Sequence, residues 1–577
     1  MSVYSIVAET TLLIEGKQIS AFHSLTLQQS IHTTHEFRVL FEHDAVEELV
    51  TLFSDQLDQL HRKSIVITIK GDASAPPLEF KGVITQTELR QQDDGYWGQM
   101  TLIGHGHAES LRNVPGTQTF LEKSVSDIVT ACLSTYQQPK TIKPPLGPTS
   151  VLPFCVRYQE STWDFLKRLA YDFGAWFYYD GEALQFTPSP GTTATLNLTF
   201  GANLVHFRTG VRAVPTYFKH YDYLPEDDKR LETETSADLS PYGKPQDSGV
   251  PNPHPAKVIA DMTPFRDNRK AALAAEQKYM EGQARVPGLF PGSKIVVKDS
   301  SLGKGGESAP YLVTDVVHYV SGVGQYHNRF RAIPADVVAM PVRKLARPVA
   351  QTQIGEVVDN KDPKGMGRVK VRLLWMQDPQ ATPFIRMTLP HFGLHTDNKK
   401  TRGFQFVPTV GDQVMVGFEH NDPERPFVLG ALPHGKNSAI NTSKPEEEKH
   451  ISVGSGSTLT FIEKPTTKEI HLKVDEKNFV TISVANGTGT VTVQSNKDVV
   501  VKATAKITLD APEIELTGTT ITLNAKQAVN IKGAQLTMDA SAKLSLKGTA
   551  ADVEGTGVLN VKSTGMTTVK GATVMIN

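Results

Sequence analysis

The sequence predicts a mainly β protein with some helices, ending in a β-solenoid. Three observations carry this. Segments such as "SIVITIKG" and "GQMTLIGHG" alternate apolar and polar residues as half-buried strands do. Helical patterning is confined to a few short stretches. From residue 491 to residue 576, small apolar pairs return every seven or eight residues.

A chain of 577 residues exceeds one hydrophobic core, so roughly three to five domains are expected. The formal net charge is −1. That gives no electrostatic case for nucleic acid or an anionic membrane as the main partner. Cys132 and Cys155 do not make a disulfide framework, and free thiols in a reducing cytoplasm are the simpler reading. The N-terminus lacks the basic and apolar regions of a signal peptide. No apolar run reaches the roughly 18 residues of a membrane span.

Residues 1 to 220 read as strands with two helices. "SVSDIVTACLSTY" is one. "STWDFLKRLAYDFG" is better marked: Ser161 can N-cap it with Asp164 in capping-box position. Phe165, Leu166, Leu169 and Phe173 make its apolar face, and Gly174 stops it. A strand pair turning at Asp180-Gly181 follows. Residues 224–257 are polar and Pro-rich and read as a long linker. "NRKAALAAEQKYMEGQA" reads as a helix, and "GLFPGSKIVVKDS" and "PYLVTDVVHYVS" as strands. Residues 350–435 hold six short strand candidates, "QIGEVVDN", "GRVKVRLLW", "PFIRMTLP", "GFQFVP", "DQVMVGFEH" and "PFVLGAL", which suit a small barrel. Within it "NDPERP" is a rigid turn, Gly411-Asp412 is a second one, and Arg425 is expected to find a carboxylate or carbonyl nearby.

The repeat then begins. Its pairs are Val491/Val493, Val499/Val501, Ile507/Leu509, Ile514/Leu516, Ile521/Leu523, Val529/Ile531, Leu536/Met538, Leu544/Leu546, Ala551/Val553, Leu559/Val561, Thr567/Val569 and Val574/Ile576. Residues i and i+2 of a strand face one way, so each unit sends two side chains inward. Gly, Asn, Lys and Asp supply corners, which predicts a triangular β-solenoid. No Phe, Tyr, Trp, His, Cys or Arg follows Phe479, as a thin core filled by Val, Ile, Leu and Met requires. If one chain made all three sides, twelve strands would stack to roughly 20 Å; three intertwined chains would reach roughly 60 Å. Intertwining also pairs strand edges that would otherwise invite aggregation, and is favoured on that ground.

The stretch "GFQFVPTVGDQVMVGFEHNDPERPFVLGAL", residues 403–432, resembles the signature of VgrG spike proteins of the type VI secretion system, shared with baseplate spikes of contractile-tail phages. Phe406, Pro408, Gly411, Val414, Val416, Phe418, Asp422, Pro423, Arg425, Pro426 and Gly430 carry the match. "GRVKVRLLW", "VRYQESTWDFLKRLAYDFGAWFYYDG" and "GLFPGSKIVV" match as well. The resemblance implies a tube- and baseplate-adapting hub over residues 1–348, an OB-type barrel over 349–435, a linker over 436–450 and a β-helix shaft over 451–577. It also implies a homotrimer, an Hcp-like tube protein, a PAAR-type tip protein, baseplate proteins and carried effectors as partners. Loading in the cytoplasm and secretion without a signal peptide would follow, with transient contact at a target membrane.

Chemistry is harder to find. The sequence has no Walker A loop, HExxH, GxSxG or CxxC pair. His32/His35 and His105/His107 are pairs without a third ligand. Asp510, Glu513 and Glu515 lie in the repeat without an aromatic platform to hold a sugar. Lys399, Lys400 and Arg402 cluster in what reads as a loop. The expectation is therefore no catalytic, cofactor or metal residues and no nucleic-acid partner. About fifteen residues separate barrel from repeat and the chain stops at "VMIN", so no room is expected for an enzyme domain. The expected functional residues are the shaft core: Ile507, Leu509, Ile514, Leu516, Ile521, Leu523, Val529, Ile531, Leu536, Met538, Leu544 and Leu546. The end residues Val574, Met575, Ile576 and Asn577 are expected to meet a tip protein. The alternatives are a trimeric tail spike that cleaves surface polysaccharide and the spike of a phage or extracellular injection particle.

Overall fold

The computed structural model describes residues 6–19, 21–42, 55–71, 76–91, 97–143, 151–191, 194–236, 249–302, 306–341, 345–397, 400–436 and 444–576. Two units divide the chain, Met1–Ile440 and Asn441–Asn577. The first is built mainly of strands, and in the second the strands lie between Glu448 and Gln494.

The first unit is organised by a sheet of fourteen strands among the described residues. Its N-terminal strands Glu9–Ile14, Ser64–Lys70, Leu78–Gln91, Trp97–Gly106 and Glu36–Glu42 are neighbours. Ser24–Ser30 then pairs antiparallel with Tyr311–Ser321, with Leu25 opposite Val320 and Leu27 opposite His318. The two ends of the predicted hub segment are thus zipped into one sheet.

Helix Thr162–Phe173 packs on this frame as its sequence foretells. The Ser161 Oγ accepts from the Asp164 N–H at 3.1 Å, and Gly174 ends the helix at φ 71°. Phe165, Leu166 and Leu169 are fully buried, and Phe165 stacks on Phe120. Helix Val125–Cys132 carries a capping box between Ser124 and Asp127. Both cysteines are free thiols, Cys155 buried and Cys132 half-buried.

Two expectations in this unit need correction. The predicted helix over 268–284 is really helix Ile259–Ala274 followed by strand Lys278–Ala284. The alanine run satisfies helix propensity, but Met280, Gly282 and Ala284 alternate on a buried face between two strands. Gly282 is required there, because a Cβ would come within 2.7 Å of the Phe330 ring. The expected linker over 224–257 contains strand Lys229–Glu234, hairpinned to Lys219–Leu224, and strand Gly249–Pro251, which adds in parallel. Residues 237–248 of that stretch lie outside the described residues.

The barrel segment has a sheet ordered Lys370–Leu373, Gln353–Asp359, Gln413–Phe418 and Pro426–Ala431. Bridges Val369–Ile385 and Met387–Val428 extend it. "GFQFVP" is not a ladder strand beyond Gly403, and Phe404 and Phe406 stay half exposed. The Gly411 turn is present, at φ 95°. The barrel core is shared with the hub. Val357, Val371, Val414, Val416 and Val428 pack with Phe154, Val156 and Tyr158 of hub strand Leu152–Glu160.

The second unit opens with an antiparallel meander: Glu448–Ser452, Thr458–Lys464, Thr467–Asp475, Asn478–Ala485 and Thr488–Gln494. Its first strand lies partly within the expected linker, and its last carries the first apolar pair, Val491/Val493. Asn486-Gly487, both at positive φ, make one of its turns. Residues 496–576 run on without any strand pairing within the chain.

Candidate functional site

Two features of the molecule have the chemistry of a site. The first is a buried charge cluster where barrel meets hub. The turn "NDPERP" supplies it from the barrel. Arg425 donates to both carboxylate oxygens of Asp222, at 2.7 and 3.1 Å, and to the Asn252 carbonyl at 3.1 Å. The sequence called for a carboxylate or carbonyl partner, and Arg425 has both. Glu424, 4% exposed, lies 2.8 Å from His254 Nδ1 and 3.6 Å from the Arg168 guanidinium. Arg168 in turn donates to both oxygens of Glu160 at 2.9 Å. On its other side His254 Nε2 stands 3.4 Å from Asp172, which also pairs with Arg347.

Burying so many charges is tolerated only because each is paired and hydrogen-bonded. Burial opposes the charge on His254, but Glu424 and Asp172 outweigh it and raise its pKa to about 9. Burial likewise pushes Asp172 up, but Arg347 and His254 hold it below the usual carboxylate range. Asp422 has less help: burial and Glu424 raise it to about 6. His254 is therefore an imidazolium clamped between a hub carboxylate and a barrel carboxylate. Such a cluster can lock two domains in one orientation. The Cys155 thiol lies beside Glu424 in this cluster, but it is fully buried, and burial first and Glu424 second push its pKa well above the ordinary thiol value.

The second feature is the surface of the C-terminal unit. Register puts Ile451, Leu459, Leu472, Val480 and Val493 on one face of the meander, beside Phe461, Ile470, Ile482 and Val491. The opposite face carries His450, Thr460, His471, Thr481 and Thr492. The sheet is thus amphipathic, yet most of the apolar face is exposed: Phe461 is 42% exposed and Leu472 57%.

The repeat continues the theme in the single chain. Ile507, Leu509, Ile514, Leu516, Ile521, Leu523, Val529, Ile531, Leu536, Met538, Leu544 and Leu546 are not buried; their exposure runs from 51% at Ile514 to 72% at Leu546. The physical reason is the missing pairing. A strand segment without a neighbour leaves both of its faces open, so one chain does not close a triangular section around these side chains. Met575 and Ile576 are 89% and 91% exposed and Val574 about half, while Asn577 lies outside the described residues.

The remaining candidates scatter. His35 is buried, beside Gln29, and held neutral with a pKa of about 3 by burial. His32 lies 3.9 Å from Glu276. His105 meets Thr85, and Glu36 is 3.8 Å away. Glu515 only bonds Thr517, and Asp510 and Glu513 are exposed. Lys399 lies outside the described residues, and Arg402 is exposed on strand Thr401–Gly403. Among the described residues no three His, Cys, Asp or Glu side chains gather as a metal site, and no helix is long and apolar enough to cross a membrane.

Comparison with known proteins follows the same division. Residues 47–324 match the phage tail baseplate hub family (GPD). Residues 353–432 match the type VI secretion system/phage-baseplate injector OB domain. The chain is 23% identical over 401 residues to the type VI secretion system spike protein VgrG3 of Vibrio cholerae, covering 63% of this chain and 38% of that protein. It is 24% identical over 369 residues to the actin cross-linking toxin VgrG1 of Vibrio cholerae, covering 56% and 33%. The chain covers between 33% and 50% of the curated relatives it matches. In fold it is similar to a chain of the Francisella PdpA–VgrG complex, half-lidded, with TM-score 0.56 and 9% identity, covering 86% of this chain and 90% of that one.

Proposed function

The chain belongs to the VgrG family of type VI secretion spike proteins, and from that premise we propose that it works as a non-enzymatic, homotrimeric spike. The observation that carries this reading is the exposed, unpaired repeat. Residues 496–576 present β-branched and Leu pairs on a backbone with no strand partner in its own chain. Unpaired backbone and apolar stripes of that length need a cover of the same period. Two further copies supply it: one strand from each chain per layer pairs every edge and buries every pair, from Ile507/Leu509 through Ile514/Leu516, Val529/Ile531 and Leu536/Met538 to Leu544/Leu546. The meander's apolar face runs into the same seam and starts it. A shaft so built transmits axial force without buckling, because its layers are continuously hydrogen-bonded.

The hub is then the adaptor to an Hcp-like tube and baseplate, and the charge cluster fixes hub to barrel under load. Val574, Met575 and Ile576 form the platform for a PAAR-type tip protein and the effectors it carries. Loading is cytoplasmic, and the spike leaves with the tube. One relative is named as an actin cross-linking toxin, but the alignment covers a third of that protein. No grouping in the described residues assigns such chemistry to this chain.

Deleting residues 574–577 tests the tip assignment. The truncated chain is expected to assemble as the full-length chain does and to lose co-purification of the tip protein. Equal recovery of the tip protein by both would place the cargo contact on the hub or the tube.

A further inference from the structure

A cavity of about 150 Å³ opens beside the charge cluster, between helix Ile259–Ala274, strand Lys219–Leu224 and the barrel turn at His420. Three arginines face two aspartates on its wall: Arg168, Arg269 and Arg347 against Asp172 and Asp422. Two of the arginines are spent, Arg168 on Glu160 and Arg347 on Asp172. Arg269 makes no ion pair among the described residues; its guanidinium sits 4.8 Å over the Phe218 ring. His220 also lines the wall. It is 1% exposed, and neither ring nitrogen has a hydrogen-bond partner. Asn252 lies close enough to favour its protonated form, but the Asn252 Oδ1 is itself unpartnered. A buried imidazole with both nitrogens idle is costly in a finished core. Tyr171 and His420 complete the polar part of the wall, and Val250, Pro251, Pro253, Phe265 and Pro348 form its apolar part.

We propose that this cavity is a binding site for a single carboxylate group, held by the Arg269 guanidinium and the His220 N–H, with the attached carbon against the proline and phenylalanine wall. The ligand class follows from size, charge and shape. The volume is well below the roughly 300 Å³ where drug-sized or nucleotide sites begin. Arg269, the guanidinium on this wall that makes no ion pair among the described residues, matches one negative charge. A phosphate dianion would bring a second charge against Asp172 and Asp422. A guanidinium fork fits the two oxygens of a carboxylate, and the apolar wall fits an alkyl stem that phosphate lacks. Burial, with Arg269 second, holds His220 neutral at about 4, so it offers one N–H without adding charge. The source is either a small organic acid or an Asp or Glu side chain of an assembled partner. The proposal stands on the geometry of the hub and the adjoining barrel turn and does not depend on the spike reading.

The test uses the full-length protein with sodium propionate, sodium acetate and sodium phosphate, each at ionic strength fixed with sodium chloride. Melting temperature and saturation-transfer NMR of the free acid are both read. A ligand that binds only the folded state raises the melting temperature with the logarithm of its concentration above Kd. Propionate is expected to bind saturably and more tightly than acetate, and phosphate not at all. Arg269→Gln should weaken propionate by at least about tenfold, as loss of a charged hydrogen bond does, and Arg269→Lys by less. If both variants misfold, the propionate–acetate–phosphate order in the wild-type protein decides. If wild-type signals are absent but a Glu-containing peptide of a co-purifying partner saturates and Arg269→Gln abolishes it, the source is a side chain. No saturable carboxylate binding from either source, phosphate binding ahead of propionate, or equal binding by Arg269→Gln would overturn the proposal.

Discussion

Replacing Arg425 by Ala probes the bond between barrel and hub at one residue. Its guanidinium makes two bonds to Asp222 and one to a carbonyl, and the side chains of Arg425 and Asp222 are 10% and 3% exposed. Removing one partner of a buried pair costs about 3–5 kcal/mol, because the other charge stays buried alone. Asp222 would still accept from the Ala256 and Tyr223 N–H groups, at 2.8 and 2.9 Å. The low end, about 3 kcal/mol, is therefore expected. That corresponds to a rise of about 100-fold in the population in which barrel and hub separate. Native-state hydrogen exchange reads this directly at strands Leu152–Glu160 and Gln413–Phe418, which share the core that would open. The double variant Arg425→Met, Asp222→Asn should recover much of the loss, since neither charge then stays unpaired. Exchange unchanged within about threefold in Arg425→Ala, or additive losses in the double variant, would show that this ion pair does not hold barrel to hub.

Three further outcomes follow from the same geometry. In the shaft, Leu523→Asp should abolish assembly by placing one charge per chain in a thin layer, at several kcal/mol each, while Thr522→Asp on the outer side should be nearly silent; equal trimer yields would reverse the inward assignment. His254 is raised from about 6.5 to about 9, so its contribution is complete below pH 6.5 and lost as pH rises through 9. Melting of the wild-type hub should accordingly fall between pH 6.5 and 9.5, and His254→Gln should flatten that limb; parallel pH profiles would remove the imidazolium from the account. Gly174→Ala should cost more than the roughly 1–2 kcal/mol of a left-handed residue, because its Cβ would meet Asn268 Oδ1 at 2.5 Å; a loss on denaturant titration no larger than that strain would show that Asn268 moves aside.

What the sequence discloses is mostly local. Ser161, Asp164 and Gly174 mark their helix because capping is a matter of neighbours within four residues. The apolar pairs of the repeat announce strands because their period needs no partner to be seen. Their burial is another matter: Leu509, Leu516, Ile531 and Met538 are patterned as core, yet a core needs strands that one chain does not bring. Strand Lys278–Ala284 is hidden, because an alanine run just before it satisfies helix propensity and only pairing with Leu204–Val211 and Gln325–Pro334 selects the strand. The meander is signalled by alternation in 459–493, but its five-strand register is set by turns at positive φ such as Asn486-Gly487. The charge cluster is the deepest omission. Arg425 and Asp222 lie 203 residues apart, and His254 and Glu424 lie 170 apart. The only clue is that "NDPERP" carries more charge than a turn requires. His220 and Arg269 carry no signal at all, since a histidine and an arginine in polar surroundings read as surface.

The central claim is that three chains bury what one chain leaves exposed. Mass photometry of the full-length protein at nanomolar concentration, with native mass spectrometry at micromolar concentration, tests it most directly. One chain is 63.2 kDa. A single species of about three times that mass is expected at both concentrations, slow to dissociate because many strand pairs must break together. A monomer that persists at micromolar concentration would contradict it.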